Sequence, residues 1–497
     1  MLERKAYKRL LKWKAEMPGK ALLVDGARQV GKTYLIEEFA RREFDSFVKV
    51  DFLHDEGAVP TFAEVSGAQD LVERLTLAAG TAVEPGRTLV FLDEVQEAPN
   101  VVTLSKYIAQ DARFPLVISG SMLGVELRRV KSLPVGFAHI EDMFPLDFEE
   151  FCISQGVSAS LWNRMRGAFE AKEPLEDALH ERLVRLFRIF MVVGGMPDAV
   201  QAYIGGVGDL GAARDVQDDL VRLYREDITK YARDRKLQVA AIYDAIPSQL
   251  DKENKRFELR ALRAKATFER YANDFAWLVS ARAALKTVNV SAPQFPLRRT
   301  EEPGRFKLYL SDTGMLLARY PLPVAMAVIA GDKSVNCGGV YENVVAQELA
   351  AHHVRTRYHR HSGRGEVDFI AETPDRGVVP IEVKSGKSYK RHVALNNLLA
   401  SEEFAIGSSI VLSEANVSTE VRSGKPVRYV PLYMAPFVAR DLVAEEVDAA
   451  DELSRLGMPP ESLRVPAPDF SDFAGRVEGH GRQACARRDP RRGTVGT

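Results

Sequence analysis

The chain has 497 residues, of which 46% are hydrophobic and 28% are charged, and its formal net charge is −1. This length allows about three domains, and the balanced charge excludes a general attraction of the whole chain to nucleic acid or membrane, while leaving room for a local basic surface. Cys152, Cys337 and Cys485 lie far apart, which excludes a disulfide framework or a zinc site and fits a reducing cytosol. No apolar run approaches the roughly 18 residues needed to span a bilayer, and the N-terminus lacks the hydrophobic core of a secretory signal. We therefore expect a soluble cytoplasmic protein without a membrane partner.

The first informative stretch is a phosphate-binding pattern near the N-terminus. Four apolar residues, 21–24, predict a short buried strand, residues 26–33 fit G-x-x-x-x-G-K-S/T, and a helical pattern follows. Lys32 is expected to reach the β- and γ-phosphates of ATP and to act in catalysis, and Thr33 to ligate Mg²⁺. The residues predicted to contact the nucleotide are Gly26, Ala27, Arg28, Gln29, Val30, Gly31, Lys32, Thr33 and Tyr34. The alternative, a glycine turn with a surface lysine, does not explain the flanking strand and helix.

A second acidic motif follows about 60 residues downstream. Residues 88–92 predict a buried parallel strand that ends in Asp93 and Glu94, at the edge where open α/β sheets place their ligands. Asp93 is expected to hold Mg²⁺ through water, and Glu94 to polarise the attacking water. The alternative is a strand that simply ends in an acidic turn.

A third strand, 116–118, ends in Ser119, Gly120 and Ser121. A small polar side chain at this position can hydrogen-bond the γ-phosphate or the attacking water, so Ser119 (or Ser121) is a candidate sensor. Serine and glycine are also common in ordinary turns.

At this point the motifs become specific to a family. The segments GARQVGKT, FLDEVQ, ISGSM, FPLDFEEF, GGMPDAV, YREDITKYA, KLYLSDTGML, GVYENVVAQEL and PIEVKSGK together resemble a family of prokaryotic AAA-type P-loop ATPases with a poorly characterised C-terminal domain. The resemblance covers about residues 1–440 and implies an α/β fold, in which a P-loop NTPase parallel sheet at 1–155 is followed by a helical lid at 156–250. One departure is Gly136-Phe137, where many relatives place a basic residue after the glycine. The candidate arginines for completing the nucleotide site, from the lid or a neighbouring subunit, are Arg225, Arg128 and Arg129. The alternative for each is a surface or ion-paired arginine.

The next segment, 251–320, combines helices with a two-stranded hairpin and a basic loop. This order resembles a winged helix, a module that places a helix in the major groove of DNA. Basic residues there would contact phosphates: Arg260, Arg263, Lys265, Arg298 and Arg299. The alternative is a packing or protein-contact module without DNA binding.

The C-terminal part, 321–443, carries a second set of charged residues. Glu342 lies on a predicted helix, Asp368 on a strand, and Glu382 and Lys384 share one face of the next strand. An acidic residue on a helix, followed by Asp and then by Glu-x-Lys on strands, resembles the PD-(D/E)XK nuclease fold. The resemblance implies that Glu342, Asp368 and Glu382 hold a divalent metal. It also implies that Asp368, Glu382 and Lys384 are catalytic. The alternatives are solvated charges on an exposed strand, or an inactive binding module of the same fold. Residues 444–497 have the composition of a disordered tail.

These observations predict a Mg²⁺-dependent ATPase that acts on DNA or on a partner through a nuclease-like C-terminal domain. Self-association, or a protein partner, would supply an arginine. A competing hypothesis is a nucleotide-gated DNA- or protein-binding switch without nuclease activity. A third hypothesis is a DNA nuclease in which ATP hydrolysis only permits cleavage to take place.

Overall fold

The fold is described from a computed structural model. The described residues are 2–16, 19–55, 57–63, 65–80, 83–98, 101, 114–121, 123–127, 138–332, 334–361, 363, 365–373, 375 and 377–443. Several predictions therefore lie outside the described residues: those for Arg128 and Arg129, for Gly136-Phe137, for Cys485 and for the tail 444–497.

The N-terminal sheet has five parallel strands. They are β1 (Ala21–Gly26), β2 (Ser46–Asp51), β3 (Thr88–Asp93), β4 (Leu116–Gly120) and β5 (Ala138–Met143), in the order β2-β3-β4-β1-β5. All residues of β1, β3 and β4 are buried, because apolar side chains cover both faces of the sheet. In β1, Leu22 and Val24 face one core, whereas Ala21 and Leu23 face another. This arrangement confirms the predicted α/β fold with a parallel P-loop sheet.

Helices surround this sheet and connect it to the C-terminal part. Those described up to the end of the predicted lid are Lys5–Glu16, Lys32–Glu43, Ala58–Phe62, Ala68–Ala79, Leu123–Leu127, Phe148–Ser154, Ala159–Ala171, Asp177–Val193, Pro197–Gly205, Leu210–Tyr231 and Lys236–Leu250. Those that follow are Phe268–Ser280, Thr313–Leu317, Leu322–Ala330, Gly338–Ala351, Val393–Ala400 and Ala435–Leu442. Among the described helices, none combines the length and the apolar composition of a membrane span.

The second sheet is mixed and has eight strands. They are β6 (Ala284–Val290), β7 (Glu301–Leu310), β8 (Arg357–His361), β9 (Gly365–Glu372), β10 (Val378–Val383), β11 (Ser409–Ser413), β12 (Ser418–Arg422) and β13 (Lys425–Pro431). Their order is β12-β13-β11-β10-β9-β8-β6-β7. From β8 to β10 neighbouring strands are antiparallel, and β11 is parallel to β10.

The hairpin predicted within the winged-helix-like segment, β6 and β7, belongs to this sheet. Its β6 pairs with β7 on one side and, in parallel, with β8 on the other, where Val288 lies opposite Arg357. The hairpin is therefore an edge of the C-terminal sheet, because β8 uses the free backbone groups of β6. The predicted divisions at residues 155 and 250 stay predictions.

The two sheets share one apolar core. The core on one face of the five-stranded sheet extends through the helices of the predicted lid to one face of the eight-stranded sheet, and a separate apolar cluster covers the other face of the latter. Polar contacts cross the same boundary: Glu348 accepts a hydrogen bond of 2.8 Å from the backbone N–H of Phe148, and Arg282 forms an ion pair of 2.9 Å with Asp25. Asp25 lies directly before the phosphate loop, so Arg282, two residues before β6 of the second sheet, contacts the base of that loop.

Candidate nucleotide site and C-terminal carboxylate cluster

The loop after β1 has the conformation that its glycines permit. Gly31 has φ of +87°, in the left-handed region that residues with a Cβ resist. Gly26 pairs with Met143 of β5, and a Cβ on Gly26 would lie 2.4 Å from the Met143 carbonyl oxygen. Gly31 is thus required for its backbone angle and Gly26 for the close approach of a neighbouring strand.

Lys32 begins the helix that follows the loop. Its side chain is buried, and its ammonium group donates to the carbonyl oxygens of Gly26 at 2.8 Å and Ala27 at 2.9 Å. Burial lowers the pKa of Lys32 below its ordinary value, against the opposing effect of Glu94 and other nearby carboxylates. A phosphate group would be a stronger partner for this ammonium than two neutral carbonyls.

Thr33 and Asp93 come together from positions 60 residues apart. The Thr33 hydroxyl donates to Asp93 Oδ2 at 2.8 Å, and Lys49 Nζ lies 3.3 Å from the same oxygen. Hard oxygen donors from a hydroxyl and a carboxylate are what Mg²⁺ prefers. Lys49 is 25% exposed and also pairs with Glu37 at 3.1 Å, so it can turn away from Asp93 when a metal binds, and Thr33 and Asp93 fit the predicted magnesium site. The Ser119 hydroxyl is fully buried and donates to Asp93 Oδ1. In this arrangement Ser119 holds Asp93, and a direct contact of Ser119 with phosphate stays a prediction.

Glu94 is held at the mouth of the same site. It has φ of +53°, which is uncommon for a residue with a side chain, and it lines the cleft above the loop. Ser121 donates to Glu94 Oε2 at 3.1 Å, and the Gln96 amide donates to the same oxygen. The carboxylate is therefore fixed in direction, and its other oxygen, which no described residue bonds, is available for a water molecule.

The cleft above these residues has a volume of about 930 Å³. Lys32, Thr33, Asp93 and Glu94 lie along its base, together with the half-exposed Tyr34. Its walls come from three separate parts of the chain: Leu2, Glu3, Arg4, Tyr7 and Lys8; Asp51, Leu53 and His54; and Pro197, Asp198 and Gln201. The volume is in the range of small-molecule sites.

Two arginines connect the loop to its surroundings. Arg4 donates to the carbonyl oxygens of Val30 at 2.8 Å and Phe144 at 2.7 Å. Arg28 forms an ion pair with Asp227 of the helix Leu210–Tyr231. The arginine proposed from the sequence, Arg225, instead lies on the exposed side of that helix, 2.6 Å from Asp244.

The four predicted residues of the C-terminal site gather at one end of the second sheet. Glu342, Asp368 and Glu382 are buried, and Lys384 Nζ lies 2.6 Å from Glu382 Oε1. Lys307, whose side chain is 0% exposed, is also part of the cluster. Its ammonium lies 3.1 Å from Glu342, 2.6 Å from Glu366 and 3.4 Å from Asp368.

This lysine changes the interpretation of the predicted metal ligands. Among the described residues, no group of three or more His, Cys, Asp or Glu side chains is arranged to hold a metal ion. The physical reason is that Glu342 and Asp368 both face the Lys307 ammonium, and Lys255 Nζ lies 2.6 Å from the other Glu342 oxygen. A dication between these carboxylates would be repelled by a cation at the same distance. The Lys307 ammonium thus occupies the space between Glu342 and Asp368, and the assignment of these two residues and Glu382 as metal ligands stays a prediction.

The pKa shifts of Glu342 and Lys307 reflect the ion pair between them. Burial would raise the pKa of Glu342, but Lys307 and Lys255 outweigh it and lower this pKa to about 2. Burial would also lower the pKa of Lys307, but Glu342 and the neighbouring acids raise it well above its ordinary value. Burial and the charges of Glu342 and Glu382 raise the pKa of Asp368. Burial also raises the pKa of Glu382, so the lysines stabilise the ionised form of Glu342 but do not offset all the carboxylates of the cluster.

Comparison with known families supports the first site. Residues 18–152 match the model of a family described as an AAA domain. This part of the chain is similar to AAA domains. Residues 184–323 and 337–433 match two domains of unknown function, DUF8612 and DUF4143. These two matches assign no activity, so the nuclease-like resemblance stays a prediction.

Solved structures show only remote likeness. The Walker-type ATPase PABY2304 of Pyrococcus abyssi is 15% identical over 65% of this chain and 96% of its own, with a TM-score of 0.41. Cdc6p from Pyrobaculum aerophilum is 12% identical over 66% of this chain and 94% of its own, with a TM-score of 0.25. Scores this low support no inference about function. Comparison with curated proteins finds no match.

Sequence reasoning missed three residues that shape these sites. Arg4 and Lys49 carry no motif, and each acts through a partner far along the chain, Val30 and Asp93 respectively. Lys307 had a visible signal, because it stands between Phe306 and Leu308 in a strand whose residues from Phe306 to Leu310 are all buried. A lysine in such a run requires buried acidic partners.

Proposed function

We propose that the protein binds ATP together with Mg²⁺ in the cleft above the phosphate loop and hydrolyses it. One observation carries this proposal. The Thr33 hydroxyl and the Asp93 carboxylate lie 2.8 Å apart, directly beside Lys32 and opposite a fixed Glu94. This places oxygen ligands, a phosphate-binding amine and a carboxylate base in one cleft, which is the equipment that phosphoryl transfer to water requires.

Each side chain has a separate role in this scheme. Lys32 and the loop N–H groups would bind the phosphates, and the helix that starts at Lys32 adds its favourable N-terminal dipole. Thr33 and Asp93 would hold Mg²⁺, which when bound neutralises charge on the phosphate oxygens. Glu94 would accept a hydrogen bond from the attacking water and orient it, because Ser121 and Gln96 hold only one of its two oxygens.

The test separates an ATPase from a nucleotide-gated switch. Lys32→Ala should abolish binding of ATP, whereas Glu94→Gln should bind ATP normally and lose at least about 100-fold in turnover, the usual contribution of a positioned base. Lys12→Ala, at an exposed position of the first helix, is the control for the loss of a lysine. Tight ATP binding by the wild-type chain without sustained phosphate release, and with no difference in Glu94→Gln, would favour the switch.

A basic surface supports DNA as the partner. Arg263, Lys265 and Arg270 are exposed and, together with Arg235 and Tyr271, line a depression of about 330 Å³. Arg235 pairs with Asp274, but the other three basic side chains have no ion-pair partner among the described residues. Unpaired cations that converge on one surface are suited to phosphate groups of a nucleic-acid backbone. We propose that this surface, the 263–270 surface, binds DNA.

Two arginines predicted for the same role provide a matched control. Arg298 and Arg299 are exposed in the turn before β7 and are not among the residues that line the 263–270 surface. Arg263→Glu/Lys265→Glu should weaken binding of a fluorescent duplex and reduce the salt dependence of log Kd by about two, because two phosphate contacts are lost. Arg298→Glu/Arg299→Glu should change neither. Equal effects of the two double variants would refute a specific surface, and unchanged DNA affinity in both would favour a protein partner.

Self-association remains part of the proposal, since a second copy is one source of an additional arginine for the cleft. Sedimentation velocity with and without Mg²⁺-ATP tests it. A sedimentation coefficient that ATP leaves at the monomer value would argue against it.

A further inference from the structure

Lys307 is the least expected charge in the chain. It lies on β7, with Phe306 and Leu308 as neighbours, and its side chain has no exposure to solvent. A buried ammonium is stable only when carboxylates or other acceptors replace its hydration. Here the acids come from two separate elements: Glu342 from the helix Gly338–Ala351, and Glu366 and Asp368 from β9.

Each carboxylate oxygen of Glu342 and Asp368 has a partner among the described residues. Glu342 Oε1 contacts Lys255 at 2.6 Å, and Oε2 contacts Lys307 and accepts from the Tyr309 hydroxyl, both at 3.1 Å. Asp368 Oδ1 faces Lys307, and its Oδ2 accepts from the backbone N–H of Val383 at 2.9 Å. The Lys307 ammonium therefore lies between these two acids, the first two predicted metal ligands, and contacts one oxygen of each.

The third predicted ligand differs in one respect. Glu382 Oε1 contacts Lys384 at 2.6 Å, but Oε2 is buried without a hydrogen-bond partner among the described residues. It is the one oxygen of the three predicted ligands that has no partner among the described residues, whereas Lys307 contacts the other two acids.

We infer that Lys307 is the built-in cation of the C-terminal cluster and stands where a nuclease of this design would bind its metal. In this cluster a lysine ammonium, and not a divalent metal, is the cation between Glu342 and Asp368. Removal of the Lys307 amine should uncover the oxygens of Glu342 and Asp368 and create a divalent-metal site. This inference uses contacts of the C-terminal sheet only and does not depend on ATP hydrolysis.

The experiment counts bound Mn²⁺ per chain in the absence of nucleotide, by electron paramagnetic resonance of the free ion. The wild-type chain and Asp368→Asn should bind equal amounts, because Asp368 ligates no metal in the native cluster. Lys307→Met should gain one ion per chain, and Lys307→Met/Asp368→Asn should lose it again. Tyr309→Phe, which removes a neutral donor from the same Glu342 oxygen, should gain none.

Several results would overturn the inference. A Mn²⁺ ion that binds the wild-type chain and is lost in Asp368→Asn would show that the native cluster already holds metal. Mn²⁺-dependent DNA cleavage that disappears in Asp368→Asn would do the same. A folded Lys307→Met that gains no ion would show that the amine does not occupy a cation position. The comparison of wild type with Asp368→Asn decides the question even where Lys307→Met fails to fold.

Discussion

Replacement of Arg4 by alanine should weaken nucleotide binding while the chain remains folded. Arg4 precedes the first helix and has no part in the phosphate-loop motif, yet its side chain is only 8% exposed. It donates to the Val30 carbonyl inside the loop and to the Phe144 carbonyl after β5. Its guanidinium therefore ties the loop to the adjacent strand.

The magnitude follows from these two bonds. Hydrogen bonds from a charged donor contribute about 1.5–3 kcal/mol each, and part of this contribution stabilises the fold rather than the bound nucleotide. Ordering the backbone of one residue costs about 1–2 kcal/mol, so a loop freed at Val30 and Gly31 must be reordered at the expense of binding. We expect a loss of about 2 kcal/mol in binding, or roughly 30-fold in Kd for ATP.

The assay is titration with a fluorescent ATP analogue, accompanied by circular dichroism to verify the fold. Arg4→Lys, which keeps the charge but cannot reach both carbonyls in the same way, should show an intermediate Kd. Lys12→Ala, exposed on the first helix, should bind like the wild type. A folded Arg4→Ala whose Kd stays within about twofold of the wild-type value would refute the argument that Arg4 orders the loop.

Two further predictions concern stability. Burial would raise the pKa of Asp147, but Lys5 and other neighbours lower it from 3.8 to about 2, so the ionised form contributes stability above pH 3.8 that is lost as the pH falls towards 2. Lys5→Met should therefore lower the free energy of unfolding by about 2 kcal/mol at pH 7 but much less near pH 2.5 in urea titrations, and an equal loss at both values would contradict the pairing. Glu414 accepts two hydrogen bonds of 2.7 Å from Arg188, which tie the helix Asp177–Val193 to the C-terminal sheet. Glu414→Gln should lower the free energy of unfolding in urea by about 2–3 kcal/mol. Glu420→Gln, in a more exposed ion pair, should lower it by less than about 1 kcal/mol. Equal losses in the two variants would contradict the stabilising role of the Arg188–Glu414 pair.

The nucleotide cleft was predictable because its signals are local. The strand, the glycine loop and the helix stand next to one another in the sequence, and the positive φ of Gly31 is what the pattern requires. The acids at the end of β3 were also readable, because Asp93 and Glu94 follow a buried apolar strand about 60 residues after the phosphate loop. The strand order β2-β3-β4-β1-β5 was not readable, because any of several orders would bury the same residues.

The C-terminal part was harder to predict because its partners are distant. Glu342, Asp368 and Glu382 were recognised as a set, but the cation among them comes from β7, 35 residues before the nearest of these acids. The position of the β6–β7 hairpin also depends on a partner that is distant in the sequence. The sequence shows two strands with a helix before them, whereas the choice between an independent module and a sheet edge depends on whether β8 pairs with β6.

The most direct test of the account is phosphate release from Mg²⁺-ATP by the full chain, measured together with ATP binding, for the wild type and Glu94→Gln. We predict sustained turnover by the wild type and, in Glu94→Gln, unchanged binding with turnover lower by at least about 100-fold. Equal turnover in the two chains, or ATP binding that survives in Lys32→Ala, would contradict the assignment of the cleft as an ATPase site.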